Sequence, residues 1–142
     1  MGNTMYLKVP ALSKNEAFVR NTVAAFCVDL DPTVDQIDDI KTAVSEAVTN
    51  SVVHAYENEV GDVEVFVEII DSTVHIRITD FGKGIRDIQK ATTHYFSTDD
   101  TGERAGIGFT VMQSFMDEME VKNNQNGRGV TIILRKNLIK ED

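Results

Sequence analysis

The chain has 142 residues, of which 14 are Lys or Arg and 23 are Asp or Glu, so its formal net charge is −9. This length suits one domain with a proper core. The negative charge argues against direct binding to a nucleic-acid backbone or to an anionic membrane surface. We therefore expect proteins and small molecules as partners, with no direct nucleic-acid contact and no membrane contact.

Cysteine use and the apolar stretches indicate the compartment. Cys27 is the single cysteine, which excludes an internal disulfide and a Cys-based zinc cluster. The N-terminus lacks a basic region followed by an apolar run, and no stretch approaches 18 consecutive apolar residues. We therefore expect a cytoplasmic protein in a reducing compartment, with Cys27 as a packed core thiol.

The N-terminal part predicts a strand and a helix. Residues Met5 to Pro10 alternate between apolar and polar side chains, as in a short strand. Ser13 and Glu16 have the spacing of a capping box, in which each side chain bonds the other residue's backbone. This box predicts a helix from there to about Leu30.

A second helix follows with the same kind of start. Thr33 and Gln36 repeat the capping-box spacing, and apolar residues then recur at threes and fours as far as Val52. Glu46 and Asn50 lie one turn apart toward the flank of this apolar stripe. Because any two residues at this spacing are neighbours on a helix surface, a pair of solvated polar side chains is the simple alternative to a functional pair.

From Val63 the apolar period changes to two. The segments VEVFVEII and VHIRIT flank a turn at residues 71–73, which predicts an antiparallel hairpin. The second strand runs directly into the sequence DFGKG, which starts at Asp80 and contains Gly82 and Gly84. An Asp followed by two glycines at this spacing is also compatible with an ordinary tight turn.

The C-terminal part begins with a stretch that has no clear period. It ends in the glycine-rich sequence GERAGIGF, and a stretch of this length predicts a lid over about residues 85–106. A helix is predicted from about Ile107 to Met116. Two strands are predicted at Glu120–Asn123 and Gly129–Arg135, joined by a turn rich in Asn and Gly.

The glycines before the third helix can bind phosphate through free backbone amides, but many such helix entries bind nothing. The sequence lacks the Gly-x-x-x-x-Gly-Lys-Ser/Thr loop and the Gly-x-Gly-x-x-Gly turn. Neither of these two common phosphate-binding motifs applies.

In order and spacing, the three clusters resemble the boxes of the GHKL, or Bergerat, nucleotide-binding fold of gyrase, Hsp90, histidine kinases and MutL. The first box is Glu-x-x-x-Asn on a helix, matched by Glu46 and Asn50. The second is Asp-x-Gly-x-Gly after a strand, matched by DFGKG. The third is the glycine-rich end of a lid, matched by RAGIG at residues 104–108.

This resemblance implies roles at the phosphate end of a bound ATP or ADP. Glu46 would be the general base that activates the attacking hydroxyl. Asn50 would provide an oxygen ligand to a Mg²⁺ ion that bridges the phosphates. Amides around Gly106 and Gly108, together with Arg104, would face the phosphates.

The resemblance also implies roles at the base end of the nucleotide. Asp80 would accept a hydrogen bond from the adenine amino group. Gly82 and Gly84 would allow the backbone to pass close to the base. Thr131, at the start of the final strand, would add a hydroxyl near it.

Nearly the whole chain is similar to the bacterial anti-sigma factor and serine-protein kinase group, and most to its sporulation branch. Arg86 departs from the proline expected after the second box. The resemblance implies one domain over residues 1–142. Its fold would be a two-layer α/β sandwich, with helices on one face of a mixed, mostly antiparallel sheet.

The implied function is to hold a sporulation sigma factor of the sigma-F type and to phosphorylate a serine on an anti-anti-sigma protein. A homodimer is implied as well, with Arg20 on the first helix as a candidate partner contact or as a solvated side chain. Two alternatives stay open: a general-stress anti-sigma-B kinase, and a nucleotide-gated binding module without transfer activity.

Overall fold

A computed structural model describes residues 2–56, 59–85, 88, 92, 100–125 and 127–139, without the side chains of residues 100–106. Within these residues, three α-helices lie on one face of a five-stranded sheet. The helices are α1 Glu16–Phe26, α2 Val34–Asn50 and α3 Asp100–Phe115. The strands are β1 Asn3–Pro10, β2 Asp62–Ile70, β3 Thr73–Asp80, β4 Glu118–Asn123 and β5 Val130–Asn137.

The predicted hairpin is confirmed in β2 and β3. Their register pairs Val65 with Ile78, and alternate residues of both strands are buried against the helices. The turn is formed by Asp71 and Ser72, with Asp71 at a φ of 53°, a left-handed conformation that Asp tolerates better than most residues. Thr73 is the first residue of β3 rather than part of the turn.

The strand order is β1-β2-β3-β5-β4, and every pairing among the described strands is antiparallel. We predicted a mixed, mostly antiparallel sheet, but the described strands contain no parallel pair. Two of the pairings, β2 with β3 and β4 with β5, join strands through short turns, which only antiparallel neighbours allow. The two-layer α/β fold itself is as predicted.

The first helix starts differently from the prediction. Ser13 lies in a short 3₁₀ turn, and α1 follows Asn15, whose side chain makes no capping hydrogen bond. The Glu16 carboxylate bonds Arg20 instead of reaching back to a cap, so the predicted capping box does not form. The helix ends at Phe26 and continues only as a 3₁₀ turn, Cys27–Leu30.

The second helix starts as predicted. The Thr33 hydroxyl accepts from the Gln36 N–H at 3.1 Å, and the Thr33 N–H donates to Gln36 Oε1 at 2.9 Å. After Asn50 the helix widens into one π-helical turn, Ser51–Ala55. Such turns are rare and frequently occur at functional sites.

The third helix is longer than the predicted one and begins at Asp100. Its glycines lower helix propensity, but packing overrides propensity here, since Phe109 and Met112 are buried in the core. Residues 100–106, predicted as the end of the lid, belong to α3. The rest of the predicted lid beyond residue 85, including Arg86, lies outside the described residues apart from residues 88 and 92.

The core lies between the helices and one face of the sheet. No helix within the described residues is long and apolar enough to cross a membrane. Cys27 is fully buried, and burial raises the pKa of its thiol to about 11, as expected for an unreactive core cysteine. The largest fully buried side chains include Val19, Val23, Ile40, Val44, Val63, Val65, Ile76, Ile78, Phe109, Met112 and Leu134.

Candidate functional site

Glu46 and Asn50 occupy the last turn of α2, at the edge of its buried face, and both are half-buried. The helix α3 brings Gly108 directly over them. A β-carbon placed on Gly108 would lie 3.1 Å from Glu46 Oε2 and 3.3 Å from Asn50 Oδ1. The structure therefore joins the first box to one glycine of the third, and even a methyl group on Gly108 would press on both side chains.

The Asn50 carboxamide has an unused group. Its Nδ2 atom is buried and has no hydrogen-bond partner among the residues that the structure describes. Leaving a buried donor unpaired costs about 1–3 kcal/mol. Because functional sites tolerate such costs in order to meet a ligand, this atom marks the pair as a candidate ligand contact.

A divalent cation fits this site only if a bound nucleotide and water supply most of the ligands of the ion. Within the described part of the chain, no three His, Cys, Asp or Glu side chains are grouped as a metal site. Mg²⁺ prefers oxygen ligands and usually keeps waters and substrate phosphates in its shell, so one or two protein oxygens are sufficient. Asn50 Oδ1 is an oxygen of this kind and would hold the ion.

Asp80, the last residue of β3, is a nearly buried carboxylate with 6 % of its surface exposed. Its Oδ1 accepts from the Gly82 N–H at 3.1 Å and from the Val130 N–H at 3.2 Å. Among the described residues, its Oδ2 accepts one bond, a long one of 3.4 Å from the Ser51 hydroxyl. Burial raises the pKa of Asp80, and these three hydrogen bonds oppose the rise.

The glycines of the second box are needed for close approach and for backbone conformation. A β-carbon on Gly82 would overlap the Ala55 carbonyl, and the next residue, Lys83, donates its N–H to that oxygen at 3.0 Å. The structure thus shows the backbone of Gly82 close to the π-helical turn, whereas the prediction concerned its closeness to the nucleotide base. Gly84 has a φ of 79°, which disfavours any side chain.

Tyr56 ties this loop to the start of β2 and was missed in the sequence. Its hydroxyl accepts from the Phe81 N–H at 2.8 Å and donates to the Asp62 carbonyl at 2.8 Å. The ring is 9 % exposed, and burial raises the pKa of the hydroxyl. No local pattern could signal this role, because the two bonds join residues that are brought together only by the fold.

Thr131 is placed differently from the prediction. It pairs with Thr79, and because side chains alternate across a strand, both point to the sheet face opposite Asp80. The Thr131 hydroxyl lies 3.1 Å from Thr79 Oγ1 and donates to Asn124 Oδ1 at 2.6 Å. The residue of β5 that meets the Asp80 carboxylate is Val130, through its N–H.

Three predicted residues remain: Arg104, Gly106 and Arg20. Arg104 and Gly106 belong to α3, within the part whose side chains the structure does not describe. Arg20 lies on α1 and forms an ion pair with Glu16 at 3.0 Å.

Residues 9–136 match the family of histidine kinase-like ATPase domains. An anti-sigma F factor of Caldanaerobacter subterraneus subsp. tengcongensis is 51% identical over 134 residues, covering 94% of this chain and 93% of that protein. An anti-sigma F factor of Anoxybacillus flavithermus is 48% identical over 141 residues, covering 99% and 96%.

Two solved structures show the same fold at low identity. The RsbU and RsbW domains of a Mycobacterium tuberculosis protein align with a TM-score of 0.70 at 19% identity, over 96% of this chain and 32% of that one. The catalytic domain of the histidine kinase ThkA aligns with a TM-score of 0.60 at 16% identity, over 94% and 96%. The chain therefore belongs to the histidine kinase-like ATPase domain family, and within it to the group of its anti-sigma F factor relatives.

Proposed function

We propose that this protein holds a sporulation sigma factor of the sigma-F type and, as an ATP- and Mg²⁺-dependent kinase, phosphorylates a serine of an anti-anti-sigma protein. The observation that carries the kinase part is the convergence of Glu46 Oε2 and Asn50 Oδ1 at Gly108. The sigma-factor part is supported by relatives that carry the name anti-sigma F factor and match nearly their whole length.

The phosphate end of the nucleotide belongs at the Glu46 and Asn50 pair. Glu46 would take the proton from the partner's serine hydroxyl while that oxygen attacks the γ-phosphorus of ATP and ADP leaves. Asn50 would hold Mg²⁺, which supplies positive charge to the phosphates when bound. The Arg104 side chain and the amides near Gly106 and Gly108 stay predicted phosphate contacts.

The base end belongs at Asp80. Within the described part of the chain, its Oδ2 accepts just the long bond from Ser51, so it retains capacity to accept from the adenine amino group. ATP and ADP share this base, so both are expected to bind there. The site thus runs from the end of β3 to the last turn of α2.

The partner surfaces are proposed on the first strand and helix. On β1, on α1 and in the 3₁₀ turn after α1, the large apolar residues Tyr6, Phe18 and Val28 expose 58%, 55% and 59% of their surfaces, so each is available for a partner contact. Arg20 lies on α1, two residues after Phe18. We propose this region for the homodimer and the sigma factor, in the cytoplasm where a sigma factor acts.

The test combines transfer and binding. The protein is mixed with ATP labelled at the γ-phosphate, Mg²⁺ and a candidate anti-anti-sigma protein, and the label is located by mass spectrometry. Label on a partner serine is expected. Sigma factors are then offered in parallel pull-downs, and retention of a general-stress sigma factor instead would point to the anti-sigma-B alternative.

One outcome would contradict only the kinase half. If the sigma factor is retained in an ATP-dependent manner but no label reaches the partner, the protein is a nucleotide-gated binding module. Size-exclusion chromatography with light scattering tests the homodimer independently, because a monomeric mass at micromolar concentration would exclude it.

A further inference from the structure

Two consecutive asparagines, Asn123 at the end of β4 and Asn124 directly after it, contact the segment from Asp80 to Ile85. The Asn123 carboxamide bonds both backbone groups of Ile85: its Oδ1 accepts the Ile85 N–H at 2.9 Å, and its Nδ2 donates to the Ile85 carbonyl at 2.8 Å. This side chain therefore pairs with Ile85 as a neighbouring strand would. It fixes the far end of the loop, next to Gly84 with its positive φ.

Asn124 holds the near end of the same loop. Its Nδ2 donates to the Asp80 carbonyl at 2.8 Å and to the Arg128 carbonyl at 2.7 Å. Its Oδ1 accepts from the Thr131 hydroxyl at 2.6 Å. Both amide hydrogens and the oxygen of this carboxamide are thus engaged, which gives it one defined orientation.

The turn between β4 and β5 also packs directly on Asp80. A β-carbon on Gly129 would overlap the Asp80 carbonyl, and Gly129 has a φ of 92°. The next residue, Val130, donates its N–H to Asp80 Oδ1. The backbone and the carboxylate of Asp80 are consequently both held by this one turn.

We propose that Asn123 and Asn124 are positioning residues for the nucleotide base, which fix the Asp80–Ile85 loop so that the Asp80 carboxylate faces the adenine amino group. This inference rests on the proposed role of Asp80 in reading the base. Neither asparagine needs to touch the nucleotide. Their effect is on the geometry of one hydrogen bond, and therefore on base discrimination rather than on phosphate binding.

The test compares two nucleotides that differ only at this hydrogen bond. Binding of ATP and of purine riboside triphosphate, which lacks the 6-amino group, is measured by calorimetry with Mg²⁺ present. A hydrogen bond to a charged acceptor predicts that the wild type prefers ATP by about tenfold to a hundredfold. In Asn124→Ala and Asn123→Ala this preference should fall to about threefold or less, because the acceptor is no longer held in place.

Asn137→Ala is the matched control. Asn137 ends β5, the strand that pairs with β4, and its carboxamide likewise donates from Nδ2, to Thr73 Oγ1 at 3.2 Å, and accepts at Oδ1, from the Ile139 N–H at 2.8 Å. It should lower the melting temperature comparably and leave the preference for ATP unchanged. Circular dichroism confirms folding, and Asn123→Ala carries the test if Asn124→Ala does not fold.

Two results would overturn the inference. One is an unchanged preference in the folded variants, even with weaker binding of both nucleotides, since that is a merely structural effect. The other is an equal loss of preference in Asn137→Ala. Failure of the proposed base contact looks different, because the wild type itself would then show no preference and Asp80→Asn would change nothing.

Discussion

At the residue scale, Asp80 combines a cost in stability with the role in adenine binding that we propose for it. Burial is the main cause of its raised pKa, so the folded protein holds a proton on this carboxyl more tightly than the unfolded chain does. By linkage, stability from this group is fully present below the unfolded pKa near 3.8 and is lost as the pH rises through the folded value. At neutral pH the charged side chain is therefore destabilising, although the protein retains it.

Asp80→Asn should separate these two effects. The new carboxamide can still accept from the Gly82 and Val130 amides, but it presents a donor where the adenine amino group needs an acceptor. ATP binding should weaken by about one to two powers of ten, as measured by calorimetry. At pH 7 the variant should melt at the wild-type temperature or above it, and this advantage should shrink as the pH falls toward 4.

Asp29→Asn is the control for this prediction, because Asp29 is an exposed carboxylate in the turn after α1. It should leave ATP binding unchanged. Unchanged ATP affinity in Asp80→Asn would remove Asp80 from the binding site, whatever happens to stability.

Gly108 is a second residue whose proposed role in the site conflicts with its low helix propensity. Ala is favoured over Gly inside a helix by about 1 kcal/mol, yet a β-carbon here would press on Glu46 and Asn50 at 3.1 Å and 3.3 Å. Gly108→Ala should therefore stay folded, while phosphate transfer in single-turnover assays falls by about tenfold or more, because these two side chains must shift. Gly108→Val should lower both ATP affinity and transfer further.

Ser114→Ala is the control for this prediction, because it tests whether any substitution on α3 lowers the rate of phosphate transfer. Ser114 is exposed on the same helix and bonds only the Thr110 carbonyl among the contacts described for it, at 2.9 Å. Transfer should match the wild type. Wild-type transfer by folded Gly108→Ala would mean that this glycine is only part of a helix and not part of the site.

At the element scale, the helices, the hairpin and two of the polar clusters could be predicted because they depend on local spacing. The apolar periods of α2, β2 and β3 depend on residues that are close in sequence, and the same is true of the boxes at Glu46 and Asp80. The face of Thr131 could not be predicted, because one residue of register decides which side of the sheet a side chain faces. The bonds of Tyr56, Asn123 and Asn124 join distant segments and have no local signature.

The two predicted capping boxes show the same limit. Thr33 and Gln36 form theirs, while Ser13 and Glu16 do not, since Glu16 pairs with Arg20 and the chain enters α1 through a 3₁₀ turn. Spacing alone cannot distinguish them, because the backbone before each helix decides whether the side chain reaches an amide.

This contrast gives a paired prediction. Thr33→Ala removes a hydrogen bond to the second helix's first turn and should lower the free energy of unfolding by about 1 kcal/mol, measured by urea denaturation. Ser13→Ala should change it by less than about 0.5 kcal/mol. Both variants should transfer phosphate normally at a temperature where they are folded. Equal losses of stability would show that Ser13 caps α1 in solution after all.

At the scale of the whole molecule, the two proposed activities use different elements of the fold. The transfer site lies where the end of α2 meets α3, whereas Arg20 and the exposed apolar residues lie on β1, α1 and the turn after it. A change confined to the chemistry of the transfer site should therefore leave the holding of the sigma factor intact. One conservative substitution at the proposed transfer site should therefore separate the two activities.

Glu46→Gln is the variant that makes the separation. The carboxamide has nearly the same shape as the carboxylate, so it fits beneath Gly108, but it cannot accept a proton from the attacking serine. General-base assistance contributes typically about 10² to 10⁴ in rate, so single-turnover transfer should be at least hundreds of times slower, while ATP binding and retention of the sigma factor persist. Asn50→Ala should instead weaken Mg²⁺-dependent ATP binding and damage both activities. Wild-type transfer by Glu46→Gln would show that Glu46 is not the base, and that the pair on α2 is only a polar edge of the helix.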